Sequence, residues 1–287
     1  MVKKREVSFI IIFFPLLTAK WKIFSLFFAC IVIFGFLDAR SNVIKYTLSF
    51  ILGFTYYFRG YLLSRILKVF RILFLFAPFI LFSIGAAGVF NIFKMDEYIS
   101  GNYSTTATNN GEVIEESLTV DTRTFLYEEV ISSAFKYDYI ILGRSPARGN
   151  ESPSFGLYAL EELKTGKMER FSNEVSILNV FTWTGLLGVI LYFLVFSKAS
   201  YLAIFRSNNT MIKIIGLYIS FRWTYAWVED FSRFDLSYFF LWVMIGMCFS
   251  KSFREMNNAD MKIWVLGIFN ERIRKASYFY DLNIKKV

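Results

Sequence analysis

Up to residue 93 the chain alternates long apolar runs with short polar links; a polar stretch then covers 94–174, and apolar runs resume until residue 250. Apolar runs occupy 23–37, 43–58, 72–93 and 175–196, and two further runs, 212–228 and 236–250, are interrupted or bounded by charge. A hydrocarbon core about 30 Å thick requires about 20 apolar residues in a helix, and lipid offers no hydrogen-bond partner to irregular backbone. Each run therefore predicts a membrane helix. The first run, 7–17, contains Pro15 and is too short to cross, so it predicts a partial helix. The expected fold is an all-α integral membrane protein with about six transmembrane helices, one short N-terminal helix and one large extracytoplasmic loop. Its segments are N-terminal membrane helices at 1–93, the loop at 94–174, C-terminal membrane helices at 175–250 and a basic cytoplasmic tail at 251–287.

Composition agrees with this pattern. The 287 residues are 55% hydrophobic and 19% charged, with a mean hydropathy of +0.45, whereas a soluble domain carries about 25% charged residues. The net charge of +9 would suggest nucleic acid if it were spread evenly, but it sorts by segment. Arg59, Arg65, Lys68 and Arg71 fill one short link, Lys198, Arg206 and Lys213 another, and the tail from Lys251 holds eight basic residues. Basic links belong on the cytoplasmic side. The 94–174 loop carries 14 acidic and 8 basic residues, so alternation places it outside, and the basic excess is topological. Lys3, Lys4 and Arg5 conflict with alternation, which leaves two expectations open: a re-entrant 7–17 segment, or a chain that is the C-terminal part of something longer.

Within the loop, 101–111 is rich in Asn, Thr and Ser and reads as flexible. Asp121 or Thr122 is placed to cap a helix over 123–134, where Phe125, Leu126, Val130, Ile131 and Ala134 recur at helical spacing. The apolar run 137–142 suggests a strand, and the glycines and prolines of 143–156 force turns.

The chain has no His, and its two cysteines, Cys30 and Cys248, both lie in apolar runs. Zinc, haem and His-based triads are excluded, and no metal or cofactor is expected. Proton transfer is left to carboxylates, Lys, Tyr or water. Three groups of residues carry candidate chemistry. Arg40, Arg123, Arg144 and Arg148 lie on the outer side, where a guanidinium can grip a pyrophosphate in a bidentate fork; the alternative is pairing with the loop's own acids. Asn173 and Glu174 stand at a membrane entry, where a carboxylate can take a hydroxyl proton and an amide can orient a sugar ring; the alternative is a helix start with Ser172 as its cap. Arg222 lies within a span, so it should face an interior and pair with a carboxylate, and Glu229 follows it. The aromatic residues between them, Trp223, Tyr225 and Trp227, suit an interfacial belt or a sugar-stacking surface.

Several strings in order resemble the C-terminal half of the bacterial O-antigen polymerase and O-antigen ligase superfamily, over residues 20–250. They are Leu37-Asp38-Ala39-Arg40-Ser41-Asn42 at an outer turn, Arg123-Thr124-Phe125-Leu126-Tyr127 and Ile141-Leu142-Gly143 in the loop, and Ser172-Asn173-Glu174 before Gly185 and Gly188. Glu229 and Leu241-Trp242-Val243-Met244-Ile245-Gly246 complete the set. The resemblance implies metal-independent inverting glycosyl transfer, polymerising undecaprenyl-pyrophosphate-linked oligosaccharide repeat units at the outer face of the bacterial inner membrane. A multi-pass location follows, with membrane lipids, a chain-length regulator and a flippase as expected partners and no nucleic acid. The family's arginines map onto Arg40 and Arg123. Its catalytic-type His falls at Ser172, which cannot act as a base, so Glu174 is the first substitute and Glu151 the second. The competing readings are ligase-type transfer to another acceptor and a non-catalytic multispan exporter or scaffold. An exporter should show buried charges in several spans, and the sequence offers one clear case, Arg222.

Overall fold

A computed structural model describes residues 8–35, 40–60, 64–98, 104–109, 112–117, 121–162 and 164–275. The basic residues Lys3 to Arg5, residues 36–39, the side chain of Arg40 and the last basic residues of the tail lie outside the described residues.

Every long apolar run forms a helix. The described helices are α1 (Ser8–Phe13), α2 (Ala19–Gly35), α3 (Arg40–Thr55), α4 (Ser64–Ala86), α5 (Thr124–Lys136), α6 (Gly156–Glu161), α7 (Ser176–Phe205), α8 (Thr210–Tyr225), α9 (Leu236–Phe249), α10 (Lys251–Glu255) and α11 (Asn258–Phe269). Two of them, α4 and α7, are long and apolar enough to cross a membrane. Only 11% and 17% of their apolar windows are buried, which separates them from the core helix of a soluble protein, whose apolar face must be covered. The short N-terminal piece is as expected: α1 gives way to a tight turn of 3-10 helix at Phe14–Leu16, started by Pro15.

Two antiparallel pairs are added to the helices. Strands β1 (Ser104–Asn109) and β2 (Glu112–Ser117) pair with Ser104 opposite Ser117 and Asn109 opposite Glu112, so most of the stretch read as flexible is a hairpin strand. The signal was present in the Asn110-Gly111 pair between two extended segments. Strands β3 (Asn150–Glu151) and β4 (Glu169–Arg170) form the second pair. The strand expected over 137–142 is a run of turns, because Asp138 and Gly143 both take positive φ, 52° and 73°, and the chain cannot stay extended.

The chain divides into two compact units that cut across the four expected segments. The first comprises Met1–Leu73, Val195–Arg222 and Phe234–Val287. Its interior is the unit's stretch of α8, where Met211, Ile212, Ile214, Ile215 and Ile219 are all fully buried. The turn before α8 is tied down by Asn209, whose Oδ1 accepts the Ile212 N–H at 2.8 Å while Nδ2 donates to the Phe253 and Met256 carbonyls.

The second unit, Phe74–Leu194 with Trp223–Arg233, joins the polar segment to parts of α4 and α7. Pro78 inside α4 has no N–H to give to Phe74 four residues back. The Phe74 carbonyl accepts instead from the Thr224 hydroxyl, and the next carbonyl, Leu75, accepts the Trp223 indole N–H at 3.0 Å. A helix break is tolerated where such side chains satisfy the backbone. Trp223 is fully buried and packs on Phe79 and Phe193 at ring distances of 5.9 and 5.1 Å. The belt reading of these aromatics is therefore corrected: Trp223 and Tyr225 are core residues.

Candidate functional site

The site is assembled at the start of α5. Asp121 Oδ1 accepts the N–H groups of Arg123 and Thr124, both at 2.9 Å; the N-cap position itself is Arg123, one residue later than expected, and Asp121 holds the turn that leads into it. This fixes the backbone that carries Arg123. Its Nη1 lies 2.6 Å from Glu174 Oε2, and its Nη2 lies 3.8 Å from Glu229 Oε2. A second guanidinium, Arg170, reaches Glu174 Oε1 at 3.4 Å and stacks 4.1 Å from the Phe155 ring centroid. Two arginines and two glutamates thus form one cluster. Arg123 and Glu229 side chains are each 20% exposed and Glu174 is 50% exposed, so Glu174 is the most exposed of the three.

Arg170 was not among the residues singled out from sequence, and no local string distinguishes it. Its Nη1 is buried with no hydrogen-bond partner among the described residues, which leaves a charged donor with unused capacity in the middle of the cluster.

Behind the cluster lies a buried amide network. The Asn173 N–H donates to Asn179 Oδ1 at 2.6 Å, and its Nδ2 donates to Asn150 Oδ1 at 3.0 Å. Asn179 Nδ2 in turn donates to the Asn173 carbonyl, to Asp230 and to Ser232. Asn173 is 1% exposed. The expectation that it orients a sugar ring is corrected: its amide is turned inward, and it positions the backbone of its neighbour Glu174.

The Ser172 cap is also corrected. Helix α7 starts at Ser176, and its first N–H groups go elsewhere: Ser176 to the Glu229 carbonyl at 3.2 Å and Ile177 to the Ala226 carbonyl at 2.9 Å. Carbonyls released where α8 ends satisfy the start of α7, and this join places Glu229 beside Glu174.

A cavity of about 490 Å³ opens along α5, within the range of ligand pockets, and none of the four charged side chains of the cluster lines it. Phe82, Ile92, Phe93, Ile131, Tyr127 and Trp227 give it apolar walls. Thr124 and Val228 also line it, and these are the chain neighbours of Arg123 and Glu229. Trp227 Nε1 is buried with no hydrogen-bond partner among the described residues. Tyr127 donates its hydroxyl to the Trp227 carbonyl at 2.5 Å, and burial pushes that hydroxyl's pKa well up, which removes it as a proton acceptor.

The remaining expected residues lie elsewhere. Arg144 and Arg148 are drawn onto Glu169, Arg144 at 3.3 Å and Arg148 through Nε at 3.0 Å, and Gly149 N–H joins the same carboxylate. They brace the loop to β4, so the pyrophosphate role expected of them gives way to pairing with the loop's own acid. Glu151 is held by Lys136 at 2.7 Å. Arg222 is buried in the first unit, 6.0 Å from the Tyr218 ring centroid.

The Glu169 brace predicts a pH dependence. Hydrogen bonds from Arg148, opposed by burial and aided by the charge of Arg144, hold its carboxyl below the ordinary value of 4.5; Lys136 does the same for Glu151. A depressed folded-state value means stability that is present above about 4.5 and lost as pH falls through the lower folded values. Thermal unfolding of the purified protein should fall in this acid window. Glu169→Gln should remove much of that dependence and cost up to about 3 kcal/mol at neutral pH, since Arg144, its side chain 10% exposed, loses its counter-charge and keeps the Gly149 carbonyl. An unchanged melting temperature in Glu169→Gln would dismiss the brace.

No protein-family model, curated protein or solved structure matches the chain.

Proposed function

We propose that the protein is a membrane-embedded glycosyltransferase that polymerises undecaprenyl-pyrophosphate-linked oligosaccharide repeat units at the outer face of a bacterial inner membrane, as a six-span protein with the 94–174 segment outside. The observation that supports this most is a cluster of two arginines together with an apolar cavity lined by Thr124 and Val228, the chain neighbours of Arg123 and Glu229. A lipid-linked pyrophosphate is an amphipathic anion, and it needs apolar walls for its chain beside guanidinium donors for its phosphates. Arg123 and Arg170 are the donors in this reading, and Arg40 is retained as an outer arginine on the resemblance alone.

The ion pairs suggest how the reaction is ordered. An entering pyrophosphate competes with Glu174 for Arg123 and Arg170, and the half-exposed carboxylate swings away. Glu174 then accepts the proton of an acceptor hydroxyl as its oxygen attacks the anomeric carbon. The bond from that carbon to the pyrophosphate oxygen breaks, and the lipid pyrophosphate leaves with the electron pair. Glu229 stays beside Arg123 and holds it in place.

Deletion of the gene tests the reading. Cells lacking the protein should accumulate single repeat units on the lipid carrier. Accumulation of full-length polymer on the carrier would favour ligase-type transfer, and repeat units trapped on the inner face would favour an exporter.

A further inference from the structure

The segment read as the soluble outer loop contains a stretch that the geometry places at membrane depth. Helix α7 is broken: Gly185 has φ 63° and ψ −166°, which divides it into 176–184 and 186–205. Two carbonyls before the break, Thr182 and Trp183, accept the N–H groups of Arg144 and Ser145 at 2.7 and 3.0 Å. Two N–H groups after it, Leu186 and Leu187, donate to the Ile140 and Ile141 carbonyls at 2.8 and 3.2 Å. Residues 140–145 therefore fill the gap in the helix. The fit is close on both sides: a Cβ on Gly185 would stand 2.3 Å from the Ile141 carbonyl, and one on Gly143 would stand 2.4 Å from the Thr184 nitrogen.

The depth of the break follows from helix geometry. At 1.5 Å per residue, Gly185 lies about 20 Å from Lys198, the first charge after it, and about 30 Å from the end of α7. The hydrocarbon layer is about 30 Å thick. Wherever in that interval its inner edge falls, Gly185 is at or below the outer edge. Broken backbone at that depth must be satisfied by protein, and 140–145 is what satisfies it. The side chains agree. Ile141 and Leu142 are 69% and 70% exposed, next to Leu186 and Leu187 at 48% each, and the exposed apolar row continues through Ile190, Leu191 and Leu194.

We propose that Ile141 and Leu142 are inserted among lipid acyl chains, as the tip of a re-entrant turn seated in the break of α7. The exposed Lys136 and Asp138 limit its depth and hold the base of the turn at the headgroups. The occupant of this apolar face is lipid because the face continues the row along α7. The inference goes beyond the proposed chemistry and rests only on α7 crossing a membrane. It makes the base of the polar segment an anchored part of the membrane domain.

The test uses the full chain in phosphatidylcholine nanodiscs, with Cys30 and Cys248 replaced by Ser and Ala and single cysteines carrying an environment-sensitive fluorophore. Leu191→Cys is the lipid standard and Lys167→Cys the water standard. Leu142→Cys should follow Leu191: blue-shifted emission, quenching by spin-labelled lipid and loss of quenching by iodide. Ile141→Cys provides a second reporter should the first variant not fold. A label at both 141 and 142 that behaves like Lys167, with Leu191 in lipid, overturns the insertion alone. A Leu191 label in water overturns the membrane crossing as well.

Discussion

Glu174→Gln is expected to lower polymer formation by about 10²–10⁴-fold, the usual worth of general-base assistance, with protein abundance unchanged. Abundance should hold because the side chain is 50% exposed, and exposed ion pairs contribute about 0–1 kcal/mol. Gln keeps the size and one oxygen for Arg123 but has no carboxylate to receive a proton. Arg123→Lys separates the two roles of the cluster. It keeps the charge and loses the fork that matches a pyrophosphate, so it should weaken donor binding more than the proton transfer. Both are read as polymer length on the lipid carrier, with membrane immunoblots for abundance. Wild-type polymer from Glu174→Gln would take this carboxylate out of the mechanism. Glu151 is the weaker substitute, since it pairs with Lys136 and not with either arginine of the cluster.

Gly185→Ala should have a large effect on folding. The conformation at 185 is one that L residues rarely adopt, and holding a side chain there costs about 1–3 kcal/mol. The added methyl would also meet the Ile141 carbonyl at 2.3 Å, and overpacking adds about 1–3 kcal/mol more. Against a usual total of about 5–15 kcal/mol, the combined loss should deplete folded protein in the membrane fraction and lower its melting temperature in detergent. Gly246→Ala is the control, because a methyl there meets nothing within 4 Å and Ala favours a helix interior. Equal abundance of the two variants would mean that 140–145 does not fill the break in α7.

What was legible in the sequence was local. Apolar runs form helices because a helix satisfies its own backbone N–H and C=O groups, and this reasoning uses only neighbouring residues. The role of Asp121 at the helix start is legible for the same reason, since its acceptor and the N–H groups of Arg123 and Thr124 lie within three residues. Asn110-Gly111 is an equally local signal for the antiparallel pairing of β1 with β2. The residues of the cluster were named in part: Arg123, Glu174 and Glu229 were candidates, and their convergence was not readable.

Tertiary structure decided the rest. Arg170 joins Glu174 because β4 delivers it there, and Arg144 and Arg148 leave the candidate list because β4 also delivers Glu169. Charge type is written in the sequence, but a guanidinium pairs with whichever carboxylate the fold brings within about 4 Å. The start of α7 shows the same logic in the backbone. Ser172 was a sound cap by local rules, yet the carbonyls of Ala226 and Glu229 satisfy that helix from about fifty residues away. A backbone donor accepts any well-aligned acceptor, and only the three-dimensional path of the chain selects which one arrives.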